Sequence, residues 1–324
     1  VTSLTQKLDR YIARTSPFTP VVGTARTILA LSTAITLTFT PSSQLFFRSE
    51  NYPDGVTCST EATSLSFFCL TADQGVPTWS VIVAIGVLFI AAIGVLPRWT
   101  CIPHWYLTWS LAAGSPLPDG GDHLASNLTL ILIPFCLFDG RLTHWRRDDQ
   151  YRSTSLVAKY IAYACLGLWI VQLMGVYLQA SIAKMAVTEW ADGSALWYWL
   201  QNPTFGPAEP IRSLTLLVFQ FPVISIIASY GTLVLQLALV AGPFMRRRAR
   251  QVLLILGIAF HGAIAIVMGL WSFSAVMIAA DILLLLRPDE QRGLSFGKRI
   301  SHPIRPSAAD SALRQTSPSP TSPS

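Results

Sequence analysis

Residues 251–286 read QVLLILGIAFHGAIAIVMGLWSFSAVMIAADILLLL, with Arg287 immediately after them. Only His261 and Asp281 in this run can carry a charge. A helix needs about 20 apolar residues to cross a hydrocarbon core of about 30 Å, so the run is read as two crossings, 251–270 and 271–286. Working outward, further apolar runs fall at 21–40, 80–97, 101–116, 122–139, 155–178 and 213–241. Eight spans result, several of them short enough to be tilted or partly re-entrant, options that hydropathy does not separate. Composition agrees: 52% of the 324 residues are hydrophobic and 12% charged, about half the charge density of an average soluble domain.

The basic residues test the count independently, because Lys and Arg resist translocation and collect in cytoplasmic loops. Lys7, Arg10, Arg14 and Arg26 are grouped before the first span, Arg98 follows the second, and Arg141, Arg146, Arg147 and Arg152 lie between the fourth and fifth. Arg246, Arg247, Arg248 and Arg250 separate the sixth from the seventh, and Arg287, Arg292, Lys298 and Arg299 follow the eighth. Of the 23 Lys and Arg, only Arg48, Lys184 and Arg212 fall opposite. The expectation is an all-α, polytopic helical protein of the plasma membrane with both termini cytoplasmic. A short segment, 1–20, precedes a transmembrane domain, 21–290, and a Ser/Pro-rich tail, 291–324, is expected to be disordered. The net charge of +6 reports topology, and no nucleic-acid partner is expected. The polar start, VTSLTQKLDRYIARTSPFTP, is unlike a cleavable leader, so the first apolar run is expected to remain as an anchor.

Two outer loops are long, 41–79 and 179–212, so chemistry is expected to face outward. Cys58 and Cys69 share the first of them and either pair in an oxidising compartment or remain free thiols. The five cysteines include no CxxC pair and no Cys/His cluster, and no metal site is expected.

Ionisable groups inside a membrane bundle are costly and point to candidate sites. In Pro118-Asp119-Gly120-Gly121-Asp122-His123, Asp122 is suited to cap the next helix, while Asp122 and His123 together are able to bind a cation or relay protons. Asp139-Gly140-Arg141-Leu142-Thr143-His144-Trp145 looks like an interfacial anchor. Lys184, just beyond a long apolar run, either snorkels to the interface or sits in a dry pocket as a base. His261, with Asp281 in the following span, must face a partner rather than lipid, and His104 poses the same question near the inner side.

Three blocks carry a resemblance: PLPDGGDHLASNLTLILIPFCLFDGRLTHW (116–145), YLQASIAKMAVTEWADGSALWYWLQNPTFG (177–206) and FHGAIAIVMGLWSFSAVMIAADILLL (260–285). The sequence resembles the HTTM family, which joins vitamin K-dependent γ-glutamyl carboxylase to bacterial relatives, and within it the bacterial sporulation-delaying protein B (SdpB) group. The blocks cover about a quarter of the chain, and the span pattern fits most of residues 20–290. The resemblance implies an HTTM-like domain with an outward-facing site. In the carboxylases a lysine ahead of a Trp-containing segment deprotonates reduced vitamin K, and Lys184, ahead of Trp190 and Gly193, matches it. His123, or Asp122 beside it, falls near the family's functional histidine. The carboxylases' large lumenal domain has no counterpart in this sequence, so glutamate carboxylation does not carry over.

The SdpB group implies a membrane protein of an antimicrobial-peptide (bacteriocin) system, maturing or exporting a secreted peptide precursor, with a small SdpA-like protein as a further partner. Two functional readings stay open. In one, Lys184 is the base of an outer cavity, Asp122 and His123 orient a polar group, His261 contributes from the seventh span, and a quinone or an extended peptide enters from the bilayer. In the other, the protein is a non-enzymatic scaffold or export partner. A transporter is disfavoured by the lack of an internal repeat.

Overall fold

The computed structural model describes residues 2–146, 155–203 and 206–287. The tail 291–324 lies outside the described residues, as do Arg147, Arg152, Arg292, Lys298 and Arg299. The described residues form α1 (Thr2–Arg14), α2 (Pro20–Phe39), α3 (Ser42–Leu45), α4 (Glu61–Ser64), α5 (Phe67–Thr71), α6 (Thr78–Ile93), α7 (Pro97–Gly114) and α8 (Gly120–Leu137). There follow α9 (Leu156–Met185), α10 (Thr188–Ala191), α11 (Ala195–Gln201), α12 (Ile211–Phe219), α13 (Pro222–Ala241), α14 (Arg247–Met268) and α15 (Trp271–Leu285). The only extended pairings among these residues are isolated bridges, Ser49 with Tyr52 and Val95 with Thr143.

Four helices are long and apolar enough to cross a membrane: α2, α9, α14, and α13 with the turn that follows it. Helices α6 and α15 are apolar but shorter. The apolar run 213–241 does not form one helix. Pro222 has no N–H to donate and disfavours the helical conformation at the residue before it; Phe221 is accordingly extended, with φ −84° and ψ 112°. The run therefore divides into the nine-residue α12 and the 20-residue α13. In the other direction, α9 continues to Met185, so residues 179–185, expected in a loop, are its last turns.

Side-chain bonds give the helix directions. Arg26 Nη2 donates to Thr100 Oγ1 at 2.7 Å, and the Thr33 and Thr108 hydroxyls lie 3.5 Å apart, so α2 and α7 run parallel. Thr27 Oγ1 donates to Ala92 O at 2.7 Å, which sets α6 antiparallel to α2. Lys159 Nζ donates to Ala13 O at 3.0 Å and Tyr163 to Thr15 at 2.7 Å, placing the start of α9 beside the end of α1. Gly121 abuts Phe273, aligning the starts of α8 and α15. Arg250 Nε donates to Leu285 O at 3.0 Å, joining the start of α14 to the end of α15. The segments 41–77, 186–203 and 206–210 therefore emerge at one end of the bundle, and Arg14, Arg141, Lys159 and Arg250 gather at the other.

Helix α15 sits among α2, α8, α9 and α14 and is buried on almost every side, from Ser274 through Leu285. Its neighbours supply the rest of the core, including Leu29, Leu128, Trp169 and Leu173. The segment 41–77 folds down over α6 and α7. Phe46, Val56 and Phe68 pack with Leu107 and Leu111, while Thr57 N and Oγ1 donate to Gly114 O and Ala113 O at 2.9 and 2.6 Å. Cys58 and Cys69 are joined by a disulfide within this cap. Cys101, Cys136 and Cys165 are free and buried.

Arg26 is a correction to the charge count. Instead of standing before the first span it lies within the second turn of α2 at 2% exposure, because the helix begins at Pro20, whose fixed φ suits a first helical position.

Candidate functional site

The residues expected to form one outward-facing site occupy three separate places. At the start of α8, Asp119 is the N-cap: it accepts from Asp122 N at 2.8 Å, and Asp122 Oδ2 accepts from Asp119 N at 3.2 Å. The cap thus falls three residues before Asp122, which closes a reciprocal box instead of capping the helix itself. Asp122 is buried in this arrangement, whereas His123 is exposed.

The second place is the end of α9. Tyr177, Ser181 and Lys184 are spaced by four and three residues, so they share one face of the helix. Lys184 is half-buried, its Nζ lying 5.5 Å from the centroid of the Trp190 ring and donating to Ala180 O at 3.5 Å. No ion pair to it exists among the described residues. A cation over an indole face is favourable, and more so where water is scarce.

The third place is a polar group in the bundle interior. Tyr177 donates to Asp281 Oδ1 at 2.6 Å. With its single proton committed there, the Tyr177 oxygen accepts from His261 Nε2 at 3.1 Å, which fixes the proton of the neutral imidazole on Nε2. His261 Nδ1 and Asp281 Oδ2 are then left without hydrogen-bond partners. His261 Nε2 stands 3.8 Å from Asp281 Oδ2. Asp281 is 0% exposed, and the oxygen without a partner faces Gly257, where a Cβ would come within 2.4 Å of it. Glycine at 257 is thus what allows α14 to approach the carboxylate. Ser181 extends the seam: its Oγ donates to Tyr177 O at 2.9 Å and lies 3.4 Å from Gln236 Oε1 on α13.

The structure therefore brings His261 together with Asp281 and adds Tyr177, which the sequence reading missed. Its signal was present as a tyrosine within an apolar run, seven residues before Lys184 and so on the same helical face. Lys184, Asp122, His123 and His261 make no hydrogen bond or ion pair with one another. No group of three His, Cys, Asp or Glu side chains suited to a metal occurs among the described residues.

A separate buried cluster lies at the opposite end of the bundle. Arg141 pairs with Asp139 through two bonds, 2.7 and 2.8 Å, and also donates to His144 O and Arg146 O. The His144 ring is wedged between Gly23 and Gly94. Thr27 Oγ1 gives its proton to Ala92 O, so His144 Nε2 donates to Thr27 Oγ1 at 3.2 Å. Burial first, then the nearby Arg26 and Arg141 charges, lower the pKa of His144 to about 3.

An unfolded histidine takes up its proton near pH 6.5; the folded one resists until about pH 3. The stability that His144 contributes is fully present above about pH 6.5 and is lost progressively as pH falls toward 3. The thermal midpoint of the detergent-solubilised protein should therefore drop from pH 6.5 to 5, and His144→Gln should flatten that slope.

No family model and no solved structure matches the chain. Over 304 residues it is 30% identical to YitO of Bacillus subtilis, an uncharacterized protein, across 92% of this chain and 95% of YitO. The chain belongs to the YitO family. It is also homologous to sporulation-delaying protein SdpB of Bacillus subtilis, 28% identical over 286 residues that cover 88% of this chain and 86% of SdpB. Both similarities span the helical bundle, so this YitO-family protein resembles each relative over nearly its whole length and not through one shared motif. Tyr177, Lys184, His261 and Asp281 all belong to the helices that make up that bundle.

Proposed function

We propose that this YitO-family protein is a multi-pass membrane protein of a secreted-peptide system of the SdpB type, in which it matures or exports the peptide precursor. The observation that carries this reading is the similarity to SdpB over 88% of the chain, joined to four helices long and apolar enough to cross a bilayer. In this reading the membrane domain spans 21–290, and α2, α6, α7, α8, α9, α13, α14 and α15 cross as eight spans with an HTTM-type arrangement. The end bearing Arg14, Arg141, Lys159 and Arg250 faces the cytoplasm, as the tendency of Arg and Lys to stay behind favours. Segments 41–77, 186–203 and 206–210 then face outward, with Lys184 beside the second.

Two mechanisms fit this placement. In the first, Lys184 is a base at the outer face, held over Trp190 without a carboxylate partner, and the Tyr177–His261–Asp281 group below it holds and moves protons. In the second the protein is a scaffold that presents the precursor to another enzyme. The second is favoured by the separation of the candidate residues: Asp122 is committed to a helix cap, His123 is exposed, and neither bonds to Lys184 or His261.

Mass spectrometry of the peptides secreted by cells carrying the wild-type protein, the deletion or Lys184→Ala decides between them. A lysine base requires Lys184→Ala to abolish the mature peptide while the protein stays at its wild-type level in the membrane. Maturation that is lost in the deletion but intact in Lys184→Ala would leave the scaffold. A peptide unaltered by the deletion would remove both.

A further inference from the structure

Between the 192–197 turn, which follows Trp190, and the start of α13 lies a cleft of about 270 Å³. Its existence follows from the break at Pro222. Because α12 stops at Phe219 and α13 starts at Pro222, the two leave a recess that the 192–197 turn covers from above. Phe219, Gln220, Ser225 and Ile226 line one side, and Asp192 and Trp197 the other. The covering turn is fixed in place: Tyr230 donates to Ala191 O at 2.6 Å and Ser225 Oγ to Gly193 O at 3.2 Å. Gly193, at φ +83°, lies so close to Ile226 that a Cβ would stand 3.1 Å from Ile226 Cγ1.

The walls are mainly apolar, with one carboxylate at the mouth. Asp192 Oδ1 accepts from Ser194 N at 2.9 Å and from Ser194 Oγ at 2.6 Å, which aims the carboxylate and leaves Oδ2 without a partner among the described residues. The same two bonds hold the carboxyl below its ordinary pKa, so it is charged at neutral pH. The cleft is smaller than the roughly 300–1,000 Å³ of a pocket that encloses a whole small molecule, and its size suits one large side chain. A flexible apolar stem ending in a cation matches its chemistry: carbon against Phe219 and Ile226, charge between Asp192 Oδ2 and the Trp197 face. An aminophospholipid headgroup also offers an ammonium, but no lining residue is basic and its phosphate would go unpaired.

We infer that the cleft between the 192–197 turn and the α12–α13 break binds the side chain of a lysine or arginine presented by an extended peptide. This deepens the peptide-system reading and depends on it only for the source of the peptide. The cleft would hold the chain at a fixed register by one anchoring residue instead of by an extended sequence match.

The test uses the full-length protein in phosphatidylcholine nanodiscs and two fluorescently labelled pentapeptides, uncharged at both ends. One carries a central arginine between apolar residues; the other carries norleucine there. The arginine peptide should bind about two- to fivefold more tightly than the norleucine peptide, and Asp192→Asn should remove that difference. Trp197→Leu, which keeps the carboxylate, should weaken the arginine peptide about two- to fivefold by loss of the aromatic face. Equal binding of the two peptides to the wild-type protein, or an unchanged preference in Asp192→Asn with an unchanged thermal midpoint, overturns the inference. Displacement of the arginine peptide by phosphatidylethanolamine in the nanodisc assigns the cleft to lipid and also overturns it. Failure here with Lys184-dependent maturation intact removes the cleft alone; binding as expected with no effect of the deletion on secreted peptides removes the wider reading and leaves the cleft.

Discussion

Tyr177→Phe should destabilise the protein by about 1–3 kcal/mol, although it removes a single oxygen atom. Asp281 has one hydrogen bond, from Tyr177 to Oδ1, while Oδ2 has none. Removing the donor leaves a carboxylate with 0% exposure and only His261 Nε2, 3.8 Å from Oδ2, as a polar neighbour. The penalty for a buried polar group that has lost its partner exceeds the net strength of the bond removed. A double-mutant cycle makes the claim specific. Asp281→Leu has no acceptor to leave stranded, so Tyr177→Phe should cost markedly less in that background, with a coupling of about 1–3 kcal/mol in unfolding of the solubilised protein. Strict additivity would show that Tyr177 does not hold the carboxylate.

Gly94→Ala should cost a comparable amount, about 2–5 kcal/mol, for a different reason. Gly94 ends α6 at φ +86°, a conformation that L residues with a Cβ rarely adopt. A methyl there would stand 2.1 Å from His144 Nε2. The ring has nowhere to go, since Gly23 backs it so closely that a Cβ there would stand 2.8 Å from His144 Cδ2. The backbone is equally fixed: His144 N donates to Gly94 O at 3.0 Å, and Leu96 N to Leu142 O at 2.8 Å. Combining Gly94→Ala with His144→Ala should recover the steric part of the loss and leave the part due to φ. An unchanged thermal midpoint in Gly94→Ala would refute the wedge.

Much of the helical architecture could be read from the sequence, because apolar length and the placement of Arg and Lys are properties of residues taken one at a time. Helices α2, α9, α13 and α14 fall where the apolar runs do. What hydropathy averages away was read less well. Pro222 interrupts a run whose mean is strongly apolar, so one expected span became two helices, and the recess at their junction escaped notice. Lys184 was placed in a loop because a charge ends an apolar count even where the helix continues through it. Arg26 was counted before the first span, yet the structure places it inside α2 and buries it against Thr100. The polar group around Asp281 joins α14 and α15 to the distant α9, and only the His261–Asp281 half of it was visible as two ionisable residues in neighbouring apolar runs. Asp122 was misassigned as a cap by one turn, since the difference between Asp119 and Asp122 rests on where α8 begins.

The central position of α15 also bears on biosynthesis. The helix that fills the middle of the bundle is made after every helix it touches: α2 is complete at Phe39, and α15 begins only at Trp271. At about 5–20 residues per second, synthesis of the intervening chain takes on the order of 10–50 s. During that interval the inward faces of α2, α8 and α9 have no permanent neighbour, and Tyr177 waits for the aspartate that it will hold. In the multi-pass reading proposed above, insertion of the early helices must tolerate an open centre until α15 fills it.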